Sequence, residues 1–141
     1  MAEGNATVYN SFKEALLKGE CDLDSDTLKI ILVDGGTPDI DADASYSDIA
    51  SGEECSGTGY TAGGETLANP VIAIDSGSDL AALDADDVTW SSLDAGTPTY
   101  AILYDDTHAT DQLIAYWELG RASNGGDYTL QWNASGIVTL T

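Results

Sequence analysis

The side chains that most often carry catalysis are scarce in this sequence. His108 is the single histidine, and Cys21 and Cys55 are the two cysteines. A hydrolytic triad needs a nucleophile beside a base, and a structural zinc site usually needs four Cys or His ligands. The nucleophile pattern Gly-x-Ser-x-Gly is also missing. We therefore predict no catalytic residue, no cofactor and no enzymatic activity, although 25 acidic residues leave a glycosidase-type carboxylate pair open.

Acidic residues in alternation are the other candidate for chemistry, because carboxylate oxygens bind calcium. Two segments have this spacing: Asp22, Asp24 and Asp26 in one, and Asp39, Asp41 and Asp43 in the other. Counted from Asp22, an EF-hand loop needs Gly at its sixth position and Glu at its twelfth, where this chain has Thr27 and Val33. The second segment fails in the same way. Solvated acidic loops are the favoured interpretation, with Asp22, Asp24 and Asp26 as weak candidates for an irregular structural cation site.

The charge of the chain is extreme for its size. Its 141 residues include 25 acidic and four basic ones, for a net charge of −21. Phosphate binding requires Lys and Arg, so we expect neither nucleic acid nor an anionic membrane as a partner. An acidic chain can be disordered, but 43% of these residues are hydrophobic and they recur in spaced runs. A folded domain adapted to molar salt fits better, because at about 1 M the Debye length is roughly 3 Å.

The two cysteines and the chain start carry little further information. Cys21 and Cys55 can form at most one disulfide, and two reduced, half-buried thiols are the favoured alternative. The first residues have neither a basic region nor an apolar stretch, so no signal peptide is predicted. No apolar run approaches the length of a membrane span.

One helix is predicted, over residues 8–19. Thr7 or Asn5 is its candidate N-cap, and Gly19 lies where a helix stop is expected. An apolar stripe on it can pack on its own domain, or residues 1–19 can form an arm that docks on a neighbouring subunit. The candidate interface residues are Val8, Phe12, Lys13, Leu16 and Lys18.

The longest apolar stretch, residues 99–119, predicts the core of the fold. Two runs rich in aromatic and β-branched residues flank a polar link, which indicates two central strands and a loop. Tyr104 and Trp117 are predicted core residues. Strict alternation places Leu113 on the same face as Ala115 and Trp117.

Further short strands complete a mainly β prediction. They are expected near residues 28–34, 71–74, 88–92, 127–133 and 137–140, separated by turn-forming segments. Residues 39–56 are predicted as a surface loop, and the glycine-rich segment 57–64 as a turn or bulge beside an edge strand. We predict a single domain over residues 1–141: an antiparallel β-sandwich or partly open barrel of seven or eight strands with one N-terminal α-helix.

The order of these segments resembles a group of small structural proteins of tailed bacteriophages. The resemblance is carried by residues 12–34, 57–64, 84–90, 100–106 and 113–116, and it spans nearly the whole chain. It implies a virion component, most simply a capsid decoration (cement) protein on the capsid surface. Its implied partners are the major capsid protein and copies of itself, as a homo-oligomer such as a trimer. The extreme acidity then suggests a tailed virus of a halophilic archaeon.

Two functions follow from the sequence. The first is a non-enzymatic virion structural protein that binds the capsid and itself, without a small-molecule pocket. The alternative is a host-facing turret or tail receptor-binding module, which would bind cell-surface glycan in a concave site lined with aromatic residues and carboxylates.

Overall fold

The structure, a computed structural model, describes residues 2–49 and 53–141 and is mainly β, as predicted. One α-helix, α1, spans Asn10–Leu17, and a short 3-10 helix spans Tyr46–Asp48. Ten strands are present in these residues instead of the seven or eight expected: β1 Thr7–Val8, β2 Leu28–Val33, β3 Glu65–Thr66, β4 Val71–Asp75, β5 Leu80–Asp84, β6 Val88–Trp90, β7 Tyr100–Asp105, β8 Gln112–Glu118, β9 Tyr128–Leu130 and β10 Val138–Leu140.

The strands of the described residues form three antiparallel sheets, none of which closes into a barrel. A five-stranded sheet has the order β1-β8-β7-β2-β3, a three-stranded sheet the order β10-β5-β4, and β6 pairs with β9. In the described part of the chain, no helix is long and apolar enough to cross a membrane.

The five-stranded sheet contains the predicted central hairpin. β7 pairs with β8 on one side and with β2 on the other, so its backbone is enclosed between two strands. Tyr104 and Trp117 are both buried, as predicted. The Tyr104 hydroxyl donates a hydrogen bond to the Gly63 carbonyl oxygen at 2.8 Å, which satisfies the one polar group on that buried ring.

The strict alternation predicted for β8 is wrong at one position. Leu103 pairs with Ala115, but the next residue, Tyr104, pairs with Leu113. Ile114 is therefore an extra residue, and the register shift marks a β-bulge. Leu113 consequently lies opposite Tyr104 and does not share the face of Ala115. All three β8 residues are buried, so apolar character alone could not reveal the shift.

The small β6-β9 sheet has the predicted inward residues. Val88 and Trp90 are buried on β6, and Tyr128 and Leu130 face them from β9. Just beyond β9, the Trp132 ring packs on another buried tryptophan of β8, with ring centroids 5.1 Å apart. This aromatic contact joins the two-stranded sheet to the five-stranded one.

The glycine-rich segment 57–64 lies beside an edge strand, as predicted, because it leads directly into β3. A Cβ atom on Gly64 would lie 1.9 Å from the Ile30 carbonyl oxygen, so a side chain does not fit. Residues 50–52 of the predicted 39–56 loop lie outside the described residues. Its end is held by the Glu54 carboxylate, which accepts hydrogen bonds from the hydroxyls of Tyr46 and Tyr60.

Candidate protein-binding groove

The N-terminal part of the helix prediction is wrong, since the chain is extended where residues 8 and 9 were expected to be helical. Val8 belongs to β1 and pairs with β8. The N-cap of α1 is Tyr9, in extended conformation, and not Thr7 or Asn5. Tyr9 is fully buried against the hairpin. The pairing of Val8 with β8 and the burial of Tyr9 hold residues 8 and 9 in an extended conformation, although the spacing of the apolar residues fits a helix that starts at Val8.

The C-terminal end of α1 is where the sequence placed it. Lys18 is the C-cap, and Gly19 follows with a φ of +73°. The Gly19 N–H donates to the Leu16 carbonyl at 3.1 Å, and the Glu20 N–H donates to the Ala15 carbonyl at 2.9 Å. These two bonds form a Schellman motif, which requires the left-handed conformation that glycine adopts freely. The helix therefore ends at a defined point beside the following loop.

The three-stranded sheet has one face made only of apolar side chains. On the central strand β5, Leu83 pairs with Ile72 on one side and Val138 on the other, and Ala81 pairs with Ile74 and Leu140. Partners in an antiparallel register point to the same face. Leu83, on the central strand, is 2% exposed, whereas the outer strands leave Ile72 44%, Leu140 65% and Ile74 83% exposed. The face is closed at Leu83, half-covered at Ala81 and Val138, and open at Ile72, Ile74 and Leu140.

Helix α1 and this apolar face enclose a groove of about 730 Å³. Its helix side and sheet side meet at the loop that follows α1. The groove is lined from β1 by Val8, from the helix by Phe12, Lys13 and Leu16, from the loop by Cys21, Asp22, Leu23 and Asp24, and from the sheet by Ile72, Ala81, Ala82, Leu83, Val138, Thr139 and Leu140. The lining is predominantly apolar, with Lys13 and two aspartates as its charged members.

Four of the five predicted interface residues lie in this groove. Val8 and Leu16 are half-buried, Lys13 is exposed, and Phe12 is buried in the core of its own domain. Lys18 is outside the groove, and its ammonium lies 2.5 Å from the carboxylate of the glutamate one helical turn earlier. The helix thus packs on its own domain with one part of its stripe and faces the groove with another.

Sequence reasoning did not find the sheet side of the groove. Residues 80–83 were left without a predicted element and Asp84 was predicted to begin a turn, although residues 80–84 form β5, the central strand of the three-stranded sheet. Alternating apolar residues in β4 and β10, Ile72 with Ile74 and Val138 with Leu140, were an available signal. What they could not show is that β5 would place them on one common face.

The two aspartate segments make identical turns and do not gather their carboxylates. In the first, the Asp24 N–H donates to Asp22 Oδ1 at 3.1 Å, and the Asp22 N–H donates to Asp26 Oδ2 at 2.9 Å. In the second, the same bonds join residues 39, 41 and 43, at 2.9 and 2.8 Å. Hydrogen bonds from Ser25 and Asp24 hold the pKa of Asp22 below its usual value.

Metal binding has no support from the geometry of these loops. Within residues 2–49 and 53–141, no group of three or more His, Cys, Asp or Glu side chains is arranged to hold a metal ion. The side-chain oxygens of Asp22 and Asp26 instead accept hydrogen bonds from the backbone of their own turn. These aspartates therefore serve as turn-forming residues.

A second cluster of chemically active groups surrounds the buried carboxylate of Asp105. Its Oδ1 accepts the N–H groups of Thr107 at 2.9 Å and His108 at 3.1 Å. Its Oδ2 has no hydrogen-bond partner among the described residues. Burial, reinforced by the neighbouring Asp26 carboxylate, raises the pKa of Asp105 to about 6. The side chain of Cys21 lies beside this carboxyl group.

The thiols of both cysteines have raised pKa values. Burial, together with the charge of Asp105, raises the pKa of the Cys21 thiol to about 12. Burial also raises the pKa of Cys55 to about 12, so neither thiol forms a reactive thiolate at neutral pH. Both cysteines are free. His108 is half-buried in the β7–β8 loop, where its Nε2 lies 3.9 Å from a Glu20 carboxylate oxygen.

No family model, curated protein or solved structure matches this chain. The resemblance to phage structural proteins therefore stays a prediction from the residues that carry it.

Proposed function

We propose that this protein is a non-enzymatic structural protein that binds another protein in the groove between α1 and the three-stranded sheet. The observation that carries the proposal is the open apolar face of that sheet, on a chain whose net charge is −21. Following the resemblance, we place the protein on the capsid of a tailed virus, as a decoration protein that contacts the major capsid protein.

The groove is suited to a protein partner because its exposed side chains lose contact with water when they are covered. Ile72 and Leu140, which line the groove, are large aliphatic residues with substantial exposed surface, and Ile74 lies beside them on the same sheet face. Complete burial of one such side chain contributes roughly 1.5–3 kcal/mol, and these residues, already partly covered, would each contribute less. Contiguous apolar patches of this kind mark interaction sites on soluble proteins.

The charge of the chain also favours an apolar contact. A virus shell adapted to molar salt would itself be acidic, so two negatively charged surfaces would meet. At about 1 M salt the Debye length is roughly 3 Å, and repulsion between surface carboxylates is short-ranged. Salt does not screen the burial of apolar surface in this way, so apolar contacts can still contribute to the binding free energy.

The lining of the groove supports capsid attachment over glycan binding. A glycan-binding site was expected to combine aromatic rings with carboxylates. The groove has two aspartates, Asp22 and Asp24, but its one aromatic lining residue, Phe12, is buried. The exposed lining combines the aliphatic Ile72 and Leu140 with the polar Lys13, Asp22, Asp24 and Thr139 and has no exposed aromatic ring among the described residues, which fits a segment of a protein better than a sugar ring.

The copy number of this chain in purified virus particles tests the proposed setting. Quantitative mass spectrometry against the major capsid protein would give copies per particle. We expect hundreds of copies, as a decoration protein covers the whole shell. A handful of copies would place the chain at a vertex or tail and overturn the decoration proposal.

A further inference from the structure

The outer edge of β4 is an unprotected edge strand. β4 pairs with β5 on one side, and no described strand pairs with its other side. All five of its residues are exposed. Natural edge strands are usually protected by lysines, prolines, bulges or a covering loop, because their free backbone groups pair readily with another strand.

The composition of β4 makes this lack of protection unusual for this chain. Val71, Ile72, Ala73 and Ile74 form an uncharged apolar run, although 21% of all residues are charged. The register of β4 with β5 is continuous from Val71 to Asp75 and contains no bulge. The strand thus presents an unbroken row of backbone donors and acceptors to its open side, flanked by apolar side chains from Val71 to Ile74.

We propose that β4 pairs with β4 of a second copy of this chain, in an antiparallel arrangement about a two-fold axis at Ala73. In that register Val71 lies opposite Asp75 of the second copy, and Ile72 lies opposite Ile74. No like charges face each other, and the two isoleucines form cross-strand apolar pairs. A two-fold contact requires such self-complementarity, because both copies contribute the same surface: if residue 72 of one copy lies opposite residue 74 of the other, the reverse pair forms as well.

The pairing also completes the sheet and its apolar face. Two three-stranded sheets become one six-stranded sheet, a size common in globular proteins. Ile74, which is 83% exposed in the single chain, gains an isoleucine neighbour on the same face. The pairing uses the backbone edge of β4, whose Ile72 also lines the groove. Its partner is a second copy of the chain and not the capsid, so it can be tested in the absence of virus particles.

Disulfide cross-linking tests the register directly. In an antiparallel pair, opposed Cα atoms lie about 4.5–5.5 Å apart, within the range that a disulfide spans. Ala73→Cys should therefore cross-link two copies under mild oxidation in about 1 M salt. The matched control is Thr139→Cys, since Thr139 is exposed and its register places it on the same face at the opposite edge of the sheet. The native cysteines are both buried.

Three cross-linking results are distinguishable. Efficient dimer formation by Ala73→Cys, with little by Thr139→Cys, is the expected result. Equal cross-linking of both variants, or none of Ala73→Cys, would overturn the proposal. Cross-linking that requires a mixture of the two variants would indicate pairing of β4 with β10 and would also overturn it.

A second measurement is the dimerisation affinity of the chain without cysteine substitutions. Sedimentation analysis in about 1 M salt should detect a dimer of the natural sequence. Ile74→Lys should weaken it by roughly tenfold or more, because it removes both apolar cross-strand pairs of the two-fold dimer. Leu17→Lys is the matched control, since Leu17 is 90% exposed on α1, outside β4. A monomeric natural sequence, or equal weakening by both substitutions, would overturn the proposal.

Discussion

Phe12 of α1 and Ile72 of β4 line the same groove from its two sides, and only Ile72 is open to solvent. Phe12 belongs to the closed core, where the helix packs on its own domain. Ile72 belongs to a sheet face that continues the core outward without a cover. The groove is therefore the open end of a hydrophobic core, which is the physical basis for proposing that another protein completes it.

Stability should depend strongly on salt because of the charge of −21. Raising KCl from about 0.1 M to above 1 M shortens the Debye length from roughly 10 Å to 3 Å and screens repulsion among the carboxylates. We expect a marked rise in melting temperature over that range, measured by circular dichroism. A melting temperature that stays constant would contradict the adaptation to molar salt.

Trp117→Ala should be strongly destabilising. Trp117 is buried and packs on Trp132, which joins the central sheet to the β6-β9 sheet. Truncation of a large aromatic residue in a core costs roughly 3–5 kcal/mol. Denaturant unfolding measures this cost, and Leu17→Ala is a control because Leu17 is almost fully exposed. A loss below about 1 kcal/mol would mean that Trp117 is not a core residue.

Asp105 should make the fold more stable in mild acid. Its pKa is raised in the folded state to about 6, so between its unfolded pKa and about 6 the folded chain binds a proton that the unfolded chain lacks. This contribution is present below about pH 4 and is lost as the pH rises through about 6. Above that pH the buried charge destabilises the fold.

Asp105→Asn isolates that contribution from the other 24 acidic residues. The amide oxygen can keep accepting the Thr107 and His108 N–H groups, and the amide NH2 can donate to the Asp26 carboxylate. We expect the variant to gain stability relative to the natural sequence at pH 7 and to lose this advantage near pH 4. A stability difference that is independent of pH would contradict a raised pKa for Asp105.

The sequence predicted the parts of the fold that local pattern determines. Tyr128, Leu130 and Trp132 alternate with polar residues, and they are buried as that alternation requires. Leu113 was placed on the wrong face, because a bulge within a strand that is apolar on both faces leaves no polar residue to mark the shift. Val8 was assigned to the helix since its spacing fits, but its pairing partner on β8 is more than 100 residues away.

Only one side of the groove was predicted, because the other side depends on pairing between strands that are far apart in the sequence. Phe12, Lys13 and Leu16 of α1 and Val8 of β1 all lie within nine residues of the chain, so this side can be predicted from a short segment. The opposite side depends on β5, whose two central alanines have low strand propensity. Its pairing with β4 and β10 brings residues 72 and 140 to one face, and this arrangement arises only in the tertiary structure.

Single substitutions test the groove better than removal of residues 1–19. That deletion would take away β1 and α1, and with them the fully buried Tyr9 and the buried Phe12. Loss of binding would then be confounded with loss of folding. Leu140 and Leu17 are both exposed leucines, at 65% and 90%, and only Leu140 lines the groove. The same Leu→Asp substitution at these two positions therefore compares a residue in the groove with one outside it.

The most direct measurement is the rebinding of Leu140→Asp and Leu17→Asp to virus particles depleted of this chain, in about 1 M salt or above. Equal melting temperatures of the two variants would establish that both are folded. We predict that Leu17→Asp binds as the natural sequence does, whereas Leu140→Asp needs roughly tenfold more protein for half occupancy, as expected for the loss of one apolar contact. Equal occupancy of the two variants at every concentration would contradict attachment through the groove.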